Sequence, residues 1–113
     1  MAINSETFLV SIMHANNETG TLQPIAKISA TARKHGVLMH CDAAQSVGKI
    51  PVDVSDLGVD MLTVVGHKMY APKGIAALYV RDGIQLRPII GGGGQERGLR
   101  AGTENVAYAV GFG

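Results

Sequence analysis

The sequence is poor in cysteine, aromatic residues and long apolar runs, and each shortage excludes a class of protein. A single cysteine in 113 residues excludes an internal disulfide framework and is typical of a reducing compartment. No apolar stretch approaches the roughly 18 residues that a membrane-spanning helix needs, so we expect no membrane partner. With only three Tyr, two Phe and no Trp, the core is expected to be aliphatic.

Charge is also scarce and nearly balanced. Ten Lys and Arg against nine Asp and Glu give a net charge of +1 with the histidines neutral. This balance offers no basic face for nucleic acid, so we expect no nucleic-acid partner. Hydrophobic residues make up 46% of the chain and charged residues 17%, which is typical of one small globular domain.

Short apolar runs alternate with helical and polar segments, which predicts an α/β fold. Branched apolar residues indicate strands at 7–13, 37–41 and 60–65. Pro24 suits the first residue of a helix between the first two strands, and Gly36 suits its end. Strand, helix, strand, connection and strand are typical of a parallel sheet.

The second half of the chain changes this pattern. The apolar run 75–80 follows after only a tight loop at 70–74, too short for a parallel crossover, so we predict an antiparallel strand. Residues 84–90 suggest one more short strand. Four consecutive glycines then break regular structure, and Thr103 or Asn105 is expected to cap a last helix.

A lysine and an aspartate follow two of the predicted strands. Lys68 comes after the apolar run 61–66, and Asp42 closes the strand at 37–41. Desolvation of a lysine favours its neutral amine, which forms Schiff bases. An aspartate at a neighbouring strand end keeps a pyridine nitrogen protonated. The pair predicts pyridoxal 5'-phosphate as cofactor, carried by Lys68.

Each of these residues also has an ordinary structural interpretation. A single lysine beyond a strand is more often a surface residue, and Asp42 commonly caps the turn that follows it. Asn17 is more often a turn residue than a ligand, and His67 suits an exposed loop. The joint placement favours a shared site, because Asn17, Asp42 and Lys68 each follow a strand whose carboxyl end meets the others at one sheet edge.

Four motifs occur in order along the chain. They are NNETG at 16–20, HCDAAQSVGK at 40–49, GHKMYAPKG at 66–74 and RGLRAGTEN at 97–105. On these motifs the chain resembles the central part of the cysteine desulfurase and selenocysteine lyase family, in the class V aminotransferase group of pyridoxal phosphate enzymes with fold type I. The resemblance implies part of the large cofactor-binding domain, a mostly parallel sheet with flanking helices and one antiparallel strand.

The resemblance implies a role for each matched residue. Lys68 would hold the cofactor covalently and shuttle protons. Asp42 would pair with the pyridinium nitrogen, and Gln45 would hydrogen-bond the phenolic oxygen of the ring. His67 would contact the cofactor phosphate, and Asn17 would lie near the ring and help to hold the substrate amino acid.

Other positions bear on assembly and on the branch of the family. The family threonine that matches Thr103 reaches the phosphate of the partner subunit, which implies a homodimer. Val65 stands where many members carry a hydroxyl residue, which is compatible with the selenocysteine lyase branch. Cys41 is not expected to accept sulfur, because it lies inside a predicted strand beside Asp42, where a small buried side chain is typical.

The implied reaction releases sulfur from L-cysteine, or selenium from L-selenocysteine, and leaves L-alanine. It implies a transferase or lyase that serves iron–sulfur cluster assembly, with sulfur-acceptor proteins as partners. The expected compartment is the cytoplasm, or a mitochondrion or plastid in a eukaryote.

Domain organisation leaves alternatives open. Residues 1–113 are interpreted as a partial large domain without the upstream segment and the carboxyl-terminal small domain, so weak or no activity is expected. The alternative is a non-catalytic truncated homologue that associates with a full-length subunit. A third hypothesis, a generic phosphate-binding domain built on the glycines at 91–94, predicts binding that survives Lys68→Ala.

Overall fold

Four strands form one sheet in residues 2–113, the part of the chain that the computed structural model describes. In sheet order they are β1 Leu9–Met13, β2 Leu38–Asp42, β3 Met61–Val65 and β4 Ala76–Val80. The first three strands are parallel, and β4 runs antiparallel to β3. The prediction of an α/β chain with a mostly parallel sheet and one antiparallel strand is therefore confirmed.

Three helices accompany the sheet within the described residues: α1 Ile25–Lys34, α2 Val54–Leu57 and α3 Val106–Phe112. Single turns of 3-10 helix lie at Gly66–Lys68 and Glu96–Gly98. The Asn105 side chain caps α3 by accepting a hydrogen bond from the Tyr108 amide at 3.2 Å, one of the two predicted caps. None of these helices is long and apolar enough to cross a membrane.

Three details differ from the sequence prediction. Pro24 is the cap that precedes α1 rather than its first residue. The connection at 51–58 contains the unpredicted α2, whose amides at Ser55 and Asp56 donate to the Asp53 carboxylate. The short strand predicted at 84–90 is wrong, because the segment joins no ladder and Pro88 lacks the amide hydrogen that a ladder requires.

The hydrophobic core lies between α1 and one face of the sheet. Ile25 and Ala32 lie on the same face of α1, where helical periodicity places residues seven apart, and both are buried. They pack in one cluster with strand residues of alternating sequence position, Met39, Cys41 and Leu62. The predicted aliphatic core is confirmed by this cluster.

The opposite face of the sheet is polar near its centre. His40 bridges two strands there, with Nδ1 at 2.7 Å from the Ser11 hydroxyl and Nε2 at 2.8 Å from the Thr63 hydroxyl. His40 and Asp42 lie on this same face, two residues apart along β2. The core formed by residues 2–113 is therefore one-sided.

A buried carboxylate joins the strands at the edge that holds the amino ends of β2 and β3. Asp60 accepts a hydrogen bond from the Met39 amide at 2.8 Å. Arg81, just beyond β4, donates to the other oxygen of Asp60 through Nε at 2.8 Å and Nη2 at 2.7 Å. A carboxylate with these partners fixes the three strands in register.

Gly66 lies where the backbone leaves no room for a side chain. Its amide donates to the Ile75 carbonyl at 3.0 Å, which closes the loop between β3 and β4. An ideal Cβ at Gly66 would lie 2.8 Å from Ile75 Cγ2 and 3.2 Å from the Pro72 carbonyl oxygen. The absence of a side chain therefore allows this loop to close.

Gly66→Ala is expected to lower the free energy of unfolding by about 1–3 kcal/mol, because the added methyl group overpacks a backbone contact. Urea unfolding followed by circular dichroism measures the change. Gly91→Ala is the matched control, since no atom lies within 4 Å of its ideal Cβ. Equal losses in the two variants would contradict this account of Gly66.

Candidate functional site

The carboxyl ends of β1, β2 and β3 lie at one edge of the sheet, because the three strands are parallel. The segments 14–20, 43–50 and 66–75 leave the sheet at this edge. They carry Asn17 and Lys68, while Asp42 is the last residue of β2. The structure thus places these three predicted site residues on the same edge, and their chemical roles stay predictions.

Asp42 caps a turn with one carboxylate oxygen and, within the described residues, leaves the other oxygen free. Its Oδ1 accepts a hydrogen bond from the Ala44 amide at 3.0 Å, so it does cap the following turn. No donor in the described part of the chain bonds to Oδ2, and the residue is exposed. One oxygen is therefore held by the backbone, and the other is available to a ligand.

Lys68 ends the 3-10 turn that follows β3, on the loop closed by Gly66. Both Lys68 and His67 are exposed, so residues 2–113 do not desolvate the lysine as the sequence argument expected. Met69, the next residue, packs against the neighbouring turn, with its Cγ 3.6 Å from an ideal Cβ at Gly48. The lysine backbone is therefore fixed at the edge while its side chain stays free.

A shallow open cleft of about 420 Å³ separates the segment after β1 from the segment after β2. Asn17 and Gln45 line it from opposite sides, together with Lys49. Asn16 holds the first segment in shape by accepting hydrogen bonds from the amides at Glu18 and Thr19, both at 2.9 Å. The cleft therefore brings together two of the predicted site residues, and Asn16 serves the turn.

Thr103 lies on the segment that precedes α3, outside the three segments that directly follow the parallel strands. It is exposed, and no hydrogen bond within residues 2–113 links it to the other predicted site residues. The helix that follows, α3, packs on the loop 66–75 that carries Lys68. Pro72 Cδ in that loop lies 3.3 Å from an ideal Cβ at Gly111 in α3. Tyr108 likewise lies 3.8 Å from an ideal Cβ at Gly74.

His14 and Ser46 are part of this edge, and the sequence analysis missed both. His14 directly follows β1 and is 7% exposed, and Ser46 is 1% exposed in the segment after β2. Their side chains are hydrogen-bonded, with Nδ1 and Oγ 3.0 Å apart. The available signal was a histidine placed immediately after an apolar strand, but its partner 32 residues away is set by the fold.

Comparison with known proteins identifies the family. The sequence pattern described as Aminotransferase class-V matches residues 1–113. The chain belongs to the class V aminotransferase family. This result confirms the recognition made from the four sequence motifs.

Similar members of the family are cysteine desulfurases by name. The chain is 53% identical over 112 residues to the cysteine desulfurase IscS of Dictyoglomus turgidum. The matched region covers 99% of this chain and 28% of that protein. Among solved structures, SspA in complex with cysteine has a TM-score of 0.94 and 53% identity, over 98% of this chain and 33% of that chain. A NifS-like protein from Rickettsia africae has a TM-score of 0.92 and 45% identity, over 96% and 30%. This class V chain thus spans about a third or less of the proteins it matches.

Cys41 is the single cysteine of this class V chain, and it lies in the core. Its side chain is 0% exposed, which confirms the prediction of a small buried hydrophobic residue. Burial, with a smaller contribution from the negative charge of Asp42, raises the pKa of the Cys41 thiol from 9.0 to about 11. The thiol is therefore protonated and shielded, which is the opposite of a reactive cysteine.

Cys41 is expected to resist a thiol-specific disulfide reagent at pH 8 in the native chain and to react at once in denaturant. Because the unfolded thiol ionises near pH 9 and the folded thiol near pH 11, the stability of the fold should fall as the pH rises between these values. Urea unfolding of the chain and of Cys41→Ala across this range measures the effect. Fast labelling of the native chain, or the same alkaline loss in Cys41→Ala, would contradict it.

Proposed function

We propose that this chain forms the core of the cofactor site of a pyridoxal phosphate-dependent cysteine desulfurase, which releases sulfur from L-cysteine and leaves L-alanine. L-Selenocysteine is the second substrate of the proposal. The observation that carries it is the meeting of Lys68, Asp42 and Gln45 at one sheet edge. The names of the similar proteins, and the bound cysteine named for SspA, support the same assignment.

The donors and acceptors at this edge fit the cofactor. A pyridinium nitrogen needs an acceptor, and Asp42 has Oδ2 available because the Ala44 amide holds only Oδ1. A phenolic oxygen needs a donor, which the Gln45 amide supplies from the side of the cleft. A phosphate needs cationic or N–H donors, and exposed His67 adjoins Lys68. When bound, pyridoxal phosphate supplies an electron sink for the breaking of a bond to the substrate carbon.

Three residues of the chain have separate roles in the reaction: Asp42, Lys68 and Asn17. The hydrogen bond from the Ala44 amide at 3.0 Å keeps the Asp42 carboxylate oriented, so its free oxygen holds a proton on the ring nitrogen. Lys68, exposed on a closed loop, removes the proton from the substrate Cα and returns one to the product. Asn17 lies across the cleft from Gln45 and orients the substrate amino acid.

The proposal assigns sulfur acceptance and dimer assembly to groups other than the residues at the sheet edge. Cys41 is protonated and buried, so the sulfur passes to an acceptor thiol other than Cys41 and then to iron–sulfur cluster assembly. Thr103, exposed on the segment before α3, extends toward the cofactor phosphate of a second subunit in a homodimer. A free thiol at Cys41 suits a reducing compartment such as the cytoplasm.

Mixing the chain with pyridoxal phosphate, reducing with borohydride and mapping the peptides by mass spectrometry is expected to give one pyridoxyl adduct, on Lys68. Lys68→Ala should abolish the adduct. Lys73→Ala, which removes another exposed lysine of the same loop, should leave it unchanged. Labelling scattered over Lys27, Lys34 and Lys49, or surviving in Lys68→Ala, would refute the assignment.

A further inference from the structure

His14 lies at a junction of the segments that build the candidate site. Its amide donates to the Asp42 carbonyl at 2.8 Å, and its carbonyl accepts from the Gln23 amide at 2.9 Å. Its ring Nδ1 lies 3.0 Å from Ser46 Oγ. The amide, the carbonyl and one ring nitrogen of buried His14 are therefore hydrogen-bonded to three different segments of the chain.

The hydroxyl of Ser46 has two hydrogen-bond partners, the imidazole of His14 and the Ala43 carbonyl. Ser46 Oγ lies 3.2 Å from the Ala43 carbonyl, which has no proton and only accepts. When the hydroxyl proton points to Ala43, Ser46 Oγ accepts a hydrogen bond from the Nδ1–H of His14; when it points to the imidazole, Nδ1 accepts it. His14 and Ser46 are therefore hydrogen-bonded with the imidazole in either neutral tautomer.

This hydrogen bond connects the two walls of the cleft. His14 stands three residues before Asn17, and Ser46 directly follows Gln45. Ser46 also organises its own wall, since its carbonyl accepts hydrogen bonds from the amides at Lys49 and Ile50, both at 3.0 Å. Movement of Ser46 relative to His14 would therefore change the separation of the walls.

We propose that His14 is a positioning residue for the cofactor site: its hydrogen bond to Ser46 sets the distance between Asn17 and Gln45 across the cleft. The proposal rests on the proposed function, because the distance matters to pyridoxal phosphate only if its ring lies beside Asn17 and is hydrogen-bonded by Gln45. His14 acts through Ser46 and touches neither cofactor nor substrate.

The chain contains a matched control for each partner. Ser29 is buried like Ser46, at 2% exposure, but its hydroxyl has no hydrogen-bond partner in the described residues. Ser29→Ala therefore removes a buried hydroxyl without breaking a bond. For the histidine, His14→Asn keeps a group that can donate or accept at the position of Nδ1, one bond beyond Cγ, whereas His14→Leu removes it.

The first measurement is the dissociation constant of pyridoxal phosphate from the full chain, followed by the absorbance of its lysine adduct. Ser46→Ala and His14→Leu should each weaken binding between about threefold and tenfold, the equivalent of one net hydrogen bond. The double variant should be no weaker than either single variant, because both remove the same bond. His14→Asn and Ser29→Ala should stay within about twofold of the original chain.

The second measurement is native-state amide exchange in the cofactor-free chain, which separates positioning from general stability. In Ser46→Ala, the amides at Val47 and Ile50 should exchange faster than in Ser29→Ala, with the α1 amides unchanged. Equal acceleration in α1 would make the role merely structural and overturn the proposal. Unchanged binding in folded His14→Leu and Ser46→Ala would overturn it as well.

The two proposals fail in different ways. If the original chain forms no adduct on Lys68, the proposed function fails, and amide exchange alone decides whether His14 positions the turn. If the adduct forms but is insensitive to His14→Leu and Ser46→Ala, only the positioning role fails. Should His14→Leu not fold, the comparison of Ser46→Ala with Ser29→Ala decides the question alone.

Discussion

Parallel pairing of the first three strands is the constraint on which the rest of the structure depends. Met13 pairs with Asp42 and Asp42 with Thr63, so one cross-strand row fixes where β1 and β2 end relative to β3. Shifting this register by one residue would exchange the two faces of a strand and bury its polar residues against α1. The buried Asp60 contacts secure the opposite edge of the same sheet. The position of every segment at the candidate site follows from this pairing.

Those features that depend on local pattern were predictable from the sequence. Apolar runs and the short loop before β4 gave the strand directions, and the placement of Asn17, Asp42 and Lys68 after strands gave the edge. Contacts between distant residues were not predictable in this way. The bond from His14 to Ser46 spans 32 positions and depends on the packing of two turns. Residues 84–90 have the composition of a strand, but a strand also needs a partner.

The candidate site combines fixed backbone with free side-chain atoms. Asp42 has one oxygen bound to the Ala44 amide and one without a partner in residues 2–113. Lys68 stands on a loop closed by the amide of Gly66, yet its own side chain is exposed. Ser46 lines the cleft together with Asn17 and Gln45, and it is hydrogen-bonded to buried His14. Rigid support with unsatisfied polar ends is the arrangement expected of a binding site.

The antiparallel pairing of β3 with β4 has a consequence for how far Lys68 can travel. Val65 pairs with Ala76, so the loop 66–75 starts and ends at neighbouring points of the same sheet. Both ends of its backbone are therefore anchored to the sheet, and the hydrogen bond from the Gly66 amide to the Ile75 carbonyl closes it. The reach of the amine is then set by the four methylene groups of the lysine itself, which act as a tether of fixed maximum length anchored at the sheet edge.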